Sequence, residues 1–258
     1  LGLMTASILY NYFCGLALAK TEAKKSWLAL AIAGNLALLG YYKYTDFFIE
    51  NLNSLAGFDW QLHNIILPLG ISFFTFTQIA YLVDVYKKEV REANLVDYFL
   101  FVTYFPHLIA GPIIHHKEMM PQFALPATQT MNAANMTAGL VMFIIGMSKK
   151  ILIADKAAIY VAPIFAAADQ GASLTFFEAW IGALAYTIQL YFDFSGYADM
   201  AIGLSLLFGI MLPLNFNSPY KSTSIIDFWR RWHMTLSRFL RDYVYIALGG
   251  SRQGKFRR

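Results

Sequence analysis

The chain has 258 residues, 58% of them hydrophobic, 17% aromatic and only 14% charged, and its mean hydropathy is +0.48. Soluble domains carry about a quarter charged residues, so this composition belongs to a protein that crosses a membrane several times. The net charge of +4 then points to loop and headgroup contacts rather than nucleic acid, and a lone Cys14 excludes a disulfide or a cysteine-rich metal site.

The first apolar run, residues 3–19, is long enough to span the hydrocarbon core, and Lys20, Lys24 and Lys25 follow it. A second, shorter span at 27–42 is framed by Trp27, Tyr41 and Tyr42, residues suited to the membrane interface. Residues 43–64 then carry Asp46, Glu50 and Asp59 against Lys43. A third apolar stretch, 65–83, has Pro68 and Gly70 near its start and leads to Lys87, Lys88 and Arg91. The positive-inside rule places 20–26 and 84–94 in the cytoplasm and 43–64 outside.

From 95 the pattern loosens. Residues 95–114 are apolar but broken by Pro106, Gly111 and Pro112, and irregular backbone at membrane depth survives only against protein or a wet cavity. Over 105–123, His107, His115 and His116 lack the i, i+4 pairing and acid of a metalloprotease helix, and His63 has no supporting neighbours, so no metal site is expected. A polar segment follows at 115–136. The run 136–165 sets Lys149 and Lys150 in its middle and reads as two half-length helices or one tilted helix. The stretch 174–212 exceeds one span, and "FDFSGYAD" (192–199) reads as the meeting point of two helices.

That break holds Asp193, Ser195 and Asp199. Ionisable groups at membrane depth are expensive and mark function, so Asp193 and Ser195 are candidate substrate contacts. A carboxylate here could instead pair with a nearby arginine or orient a histidine. Ser195 lacks the G-x-S-x-G surroundings of a hydrolase nucleophile. Residues 212–224, with Pro213, Pro219, Asn215 and Asn217, read as a rigid turn that could also touch substrate.

The turn feeds "DFWRRWHMTLSRFLRDYVYIALGG" (227–250), where four arginines and a histidine alternate with aromatics. At about 100° per residue, a helix over 225–246 puts Phe228, Trp232, Leu236, Phe239, Tyr243 and Ile246 on one side. Arg230, Arg231, Arg238, Arg241 and Asp242 fall on the other. The Ser222, Thr223 and Ser224 cluster supplies the cap. Such a helix lies in the interface, its arginines facing phosphate or anionic substrate. His233, at the edge of the apolar arc, is either a general base or an interfacial histidine bonded to a carbonyl.

These stretches carry a resemblance. "LPLGISFFTF" (67–76), "FPHLIAGPI" (105–113), "KKILIAD" (149–155), "YTIQLYFDFSGYADMAIGL" (186–204), "PLNFNSPY" (213–220) and "FWRRWHMTLSRFLRDYVYIALGG" (228–250) occur in order over essentially the whole chain. Together they resemble the membrane-bound O-acyltransferase (MBOAT) family, in its bacterial alginate O-acetyltransferase branch. The resemblance implies an all-α, multi-pass inner-membrane fold with broken or re-entrant helices and an interfacial amphipathic helix, as one core over 1–258. It implies transfer of an acetyl group from a cytoplasmic thioester, acetyl-CoA or an acyl carrier, toward hydroxyls of an exported polysaccharide such as alginate. Membrane lipid and periplasmic polysaccharide-modifying acetyltransferase proteins are the implied partners, with no nucleic acid and no bound cofactor.

His233 matches one of the family's two histidines. The other, usually the main base, belongs to a "GLWHG"-like helix downstream of the sequence given. His233 would then polarise the thioester carbonyl or bind the acceptor, with Arg230, Arg231, Arg238 and Arg241 holding donor phosphate. His115 stands where relatives commonly have Arg, and Ala247 where Pro is usual. Chain start at Leu1 and a Gly-rich basic end read as a fragment cut at both ends and inactive as given. The competing classes are a transporter or channel, which should show repeated halves, and a membrane scaffold without acyl transfer.

Overall fold

The computed structural model describes residues 2–21, 24–90, 94–109 and 111–250; Arg91 and the basic stretch after Gly250 lie outside them. Among the described residues every regular element is helical. Contacts gather the chain into two compact units, one of Leu1–Ile109, Ile113–Pro121 and Phe239–Arg258, the other of Ala110–Pro112 and Gln122–Arg238.

The first unit is built on α1 (Gly2–Lys20), α2 (Lys24–Ala56), α3 (Ile71–Tyr86) and α4 (Leu95–Thr103). α1 coincides with the first expected span. α2 runs well past the expected 27–42: its 33 residues extend about 50 Å, against about 30 Å of hydrocarbon. Nothing in 43–56 breaks a helix, and α2 ends only where Gly57 takes a left-handed φ of 69°.

The returning chain is stitched to α2 by side chains. Asn53 donates to the Trp60 carbonyl (2.8 Å) and accepts from the Trp60 N–H (3.0 Å). Asp46 accepts from the N–H groups of His63 (2.9 Å) and Ile65 (3.1 Å), so it is the backbone of His63 that finds a partner. The third apolar stretch becomes helical later than expected, at Ile71 rather than 65, and α3 is shorter than the helices that could cross a membrane. Pro68 cannot extend a helical ladder backwards, and Gly70 has φ 71° with its missing Cβ position 2.6 Å from the Leu108 carbonyl oxygen.

Buried polar groups tie these helices together. Asn11 and Asn35 exchange two amide hydrogen bonds, of 3.0 and 2.6 Å, between α1 and α2. Each also donates to its own helix, at Ser7 O and Ala31 O, both 2.9 Å. Gln78 of α3 donates to Ser7 Oγ (3.0 Å). Around this pairing Tyr81, Tyr98 and Phe101 form a fully buried aromatic core, with the Tyr81 and Tyr98 rings 4.5 Å apart.

α5 (His116–Phe123) belongs mostly to the first unit. In the second unit α6 (Ala133–Ser148), a π turn (Lys149–Ala154) and α7 (Asp155–Asp169) make one helical run of 37 residues. This run and α1 are long and apolar enough to cross a membrane. The irregularity expected in 136–165 is thus confined to the turn at the lysines. α8 (Phe176–Leu207) is one unbroken helix of 32 residues, capped by reciprocal bonds between Thr175 and Glu178. The expected break at 192–199 does not occur.

Packing explains why. A Cβ on Gly146 would sit 2.5 Å from the Gly196 carbonyl oxygen, and one on Gly203 would sit 2.6 Å from that of Gly139. The two glycine pairs set the antiparallel register of α6 and α8. Gly196 therefore serves close approach, not a bend. The acids of the same stretch point to the π turn: Lys149 Nζ lies 2.5 Å from Asp199 Oδ2, and Lys150 Nζ lies 2.7 Å from both Asp193 Oδ1 and Asp155 Oδ1. Outward faces stay apolar, with Ile144, Leu152 and Ile159 exposed.

Two outcomes follow for thermal unfolding of the protein in membranes or detergent. Gly196→Ala, which forces its methyl against the Gly146 backbone, lowers the melting temperature. Gly40→Ala, with nothing within 4 Å of the new Cβ, leaves it unchanged or raises it, since Ala gains about 1 kcal/mol of helix propensity over Gly. Separately, Asn11→Leu strands the Asn35 amide and destabilises by about 1–3 kcal/mol, while the Asn11→Leu/Asn35→Leu double variant recovers part of that loss; additive losses in the cycle would deny the pairing.

Candidate active site

Segment 225–246, expected as one helix, divides into three. Ser224 accepts the Asp227 N–H (3.1 Å) and starts α9 (Ile225–Arg231). The backbone then leaves the helix, extended at Trp232 (φ −97°, ψ 126°) and left-handed at His233 (φ 43°). It resumes as α10 (Met234–Phe239) and a π turn (Leu240–Tyr245). The single apolar arc through Phe228, Trp232, Leu236, Phe239, Tyr243 and Ile246 is lost with the helical phase, and Ile246 is exposed.

A left-handed histidine costs of the order of 1–3 kcal/mol and persists only where its surroundings over-determine it. Here the 213–220 turn does so. The Asn217 N–H donates to the Arg231 carbonyl (3.0 Å), and the Met234 N–H donates to the Asn215 carbonyl (2.9 Å). Thus the two groups left unpaired by the break are taken up by the preceding segment. Trp232 holds the other side, packed against Phe216 (5.1 Å), Phe228 (5.6 Å) and Tyr191 (6.1 Å).

The break places the His233 ring in a defined setting. Nδ1 lies 3.1 Å from Asn215 Oδ1, and Thr235 Oγ1 donates to the same oxygen (2.7 Å). Phe194 of α8 packs perpendicular to the imidazole at 4.8 Å. Nε2 is bonded by no described residue. Burial pushes the His233 pKa down to about 4, so the ring is neutral at physiological pH. No local pattern in the sequence links Asn215, Thr235 or Phe194 to His233. Asn215 lies 18 residues away along the chain, which no periodicity reports.

Arg230 is exposed; Arg231 Nε donates to Asp227 Oδ2 one turn back (2.9 Å). Arg241 holds the neighbouring Asp242 through two bonds, of 2.6 and 3.1 Å. Arg238 is half-buried in α10. Asp193 meets Lys150 and Asp199 meets Lys149, so these carboxylates pair with the lysines of the π turn rather than with an arginine or His233. Ser195 is buried, its Oγ without a partner among the described residues.

In the first unit His115 Nδ1 lies 2.9 Å from the Tyr243 hydroxyl, which donates to Asp84 Oδ1 (2.7 Å). The Lys87 ammonium sits 5.2 Å from the Tyr243 ring centroid, and Lys117 pairs with Glu89 at 2.6 Å. This cluster fastens the last π turn to the end of α3. His116 packs between Tyr81 and Phe101, and His107 stacks on Tyr104. Among the described residues no group of three or more His, Cys, Asp or Glu is placed to hold a metal ion.

Residues 86–258, which include every part of the His233 setting, match the model of MBOAT, the membrane-bound O-acyltransferase family. The chain is 48% identical to a peptidoglycan O-acetyltransferase of Helicobacter pylori over 280 residues, covering 98% of this chain and 53% of that protein. It is 44% identical to a probable alginate O-acetylase of Pseudomonas putida over 265 residues, covering 99% of this chain and 53% of the relative. A teichoic acid D-alanyltransferase of Bacillus subtilis is 32% identical over 71% of this chain and 46% of its own length. The chain spans about half the length of the curated relatives it matches. With the family match running unbroken from the end of α3 through the His233 turn, the chain belongs to the membrane-bound O-acyltransferase family.

Proposed function

We propose that the full-length protein is a multi-pass inner-membrane O-acyltransferase. It carries an acetyl group from a cytoplasmic thioester, acetyl-CoA or an acyl carrier, toward hydroxyls of an exported polysaccharide, with His233 at the transfer site. The observation that carries this reading is a neutral imidazole, held on a strained turn in a half-buried aromatic setting, with one ring nitrogen unbonded. Relatives named for acylating peptidoglycan, alginate and teichoic acid support an exported glycan as acceptor.

In the reaction the acceptor oxygen attacks the thioester carbonyl and its proton passes to a histidine. The carbon–sulfur bond then breaks, and the leaving thiolate takes the proton back. Arg230, Arg231, Arg238 and Arg241 suit the phosphates of the donor. Arg230, exposed and clear of the Asp227 and Asp242 pairings, is the first of them to test. Asp193 and Ser195 would border the route taken by substrate. Periplasmic polysaccharide-modifying acetyltransferase proteins would receive or apply the acyl group.

The test is glycan acetylation by cells producing the full-length protein. His233→Ala should lower it by about 10²–10⁴, the usual worth of a positioned acid or base, at unchanged protein abundance in the membrane. Acetylation at the wild-type level would remove His233 from the reaction.

The pH profile gives a second check. Protonation fills the Nε2 lone pair, so activity that needs neutral His233 falls as pH drops through the folded-state value. With that value held down to about 4, the acid limb lies well below the 6.5 of an ordinary histidine.

A further inference from the structure

The two roles open to His233 require opposite tautomers. Polarising the thioester carbonyl needs a hydrogen on Nε2; receiving the proton of an acceptor hydroxyl needs a lone pair there. We infer that Asn215 is a positioning residue that keeps the hydrogen of His233 on Nδ1 and so leaves Nε2 as the acceptor for the glycan hydroxyl. The inference rests on the proposed acyl-transfer site and names the role of His233 within it.

The orientation of the Asn215 amide follows from its neighbours. The backbone N–H of Thr235, which can only donate, lies 3.4 Å from the amide atom that also takes the Thr235 hydroxyl at 2.7 Å. That atom is therefore the carbonyl oxygen Oδ1. His233 Nδ1, 3.1 Å from the same oxygen, must be the donor. Turning the amide over would set NH₂ against the Thr235 N–H, donor facing donor.

Asn215 cannot drift to a compromise either. It is 1% exposed, and its own carbonyl is held by the Met234 N–H at 2.9 Å. In this orientation Nδ2 is buried with no partner among the described residues. The site thus tolerates an unmet N–H in order to keep an oxygen toward His233. Phe194, perpendicular to the ring at 4.8 Å, limits its rotation. Burial alone lowers the His233 pKa, and the group opposite Nδ1 is a neutral amide rather than a carboxylate.

The experiment uses full-length protein in lipid, labelled with ¹⁵N in its histidine rings, the His233 signals being assigned by their loss in His233→Ala. Wild type should show Nδ1 protonated and Nε2 bare at neutral pH. Asn215→Ala should shift the ring toward the Nε2–H form and depress glycan acetylation. In Asn215→Asp the carboxylate still accepts from Nδ1, so the tautomer holds, while the ring pKa and the acid limb of the pH profile rise by about 1–3 units. An Nε2–H ring in wild type overturns the inference. So does an Asn215→Ala protein that is merely less stable, with unchanged tautomer and pH profile. If His233→Ala acetylates normally while the ring keeps Nδ1–H, the catalytic reading falls and the hold of Asn215 on the ring stands.

Discussion

Polar atoms taken out of water in a chain this apolar must be met by other protein atoms, and the structure is organised around the places where that happens. Gln78 of α3 meets Ser7 of α1 in the buried core of the first unit. Between α1 and α2 the Asn11–Asn35 amides satisfy each other, which fixes one rotational setting of the two helices because any other strands two amides. At the π turn the lysines are met by Asp193, Asp199 and Asp155. In each case the partner comes from another element, or another part of the same one, so satisfying a polar group also specifies packing.

The same constraint shapes the His233 turn. A helix interrupted at Trp232 loses backbone partners, and the 213–220 segment returns them through the Asn217 N–H and the Asn215 carbonyl. The strain at His233 is therefore carried by a rigid proline-bounded turn rather than by the helix itself. What the interruption gains is access. In an unbroken α9 the histidine backbone would be committed to the helical ladder and its ring direction set by helix phase. At φ 43° the ring instead meets Asn215 and Phe194 with one nitrogen open.

The glycines of α6 and α8 do the complementary job in the second unit. With no side chain at Gly139, Gly146, Gly196 or Gly203, the two backbones approach closely enough for Lys149 and Lys150 to reach the carboxylates of α8. Phe194 lies on α8 between Asp193 and Ser195, so the helix that fixes the ion pairs also presents the ring that packs on His233.

The helical class, the membrane character and the family were legible in the residues, because they depend on composition, on runs of apolar residues and on ordered motifs. The cap at Ser224 was legible for the same reason: capping is local. The length of α2, the continuity of α8 and the break after Arg231 were not. A glycine beside charged residues reads as a hinge until the neighbouring helix shows that its missing Cβ is a contact and its acids are paired. An arginine-rich amphipathic stretch reads as one helix until the 213–220 turn, earlier in the chain, claims its backbone. The sequence by itself determined the helical class and the family, and it put His233 forward as the histidine to test. Only the tertiary structure decided where the helices break and which nitrogen of that histidine is free, because both rest on hydrogen bonds between segments distant in the chain.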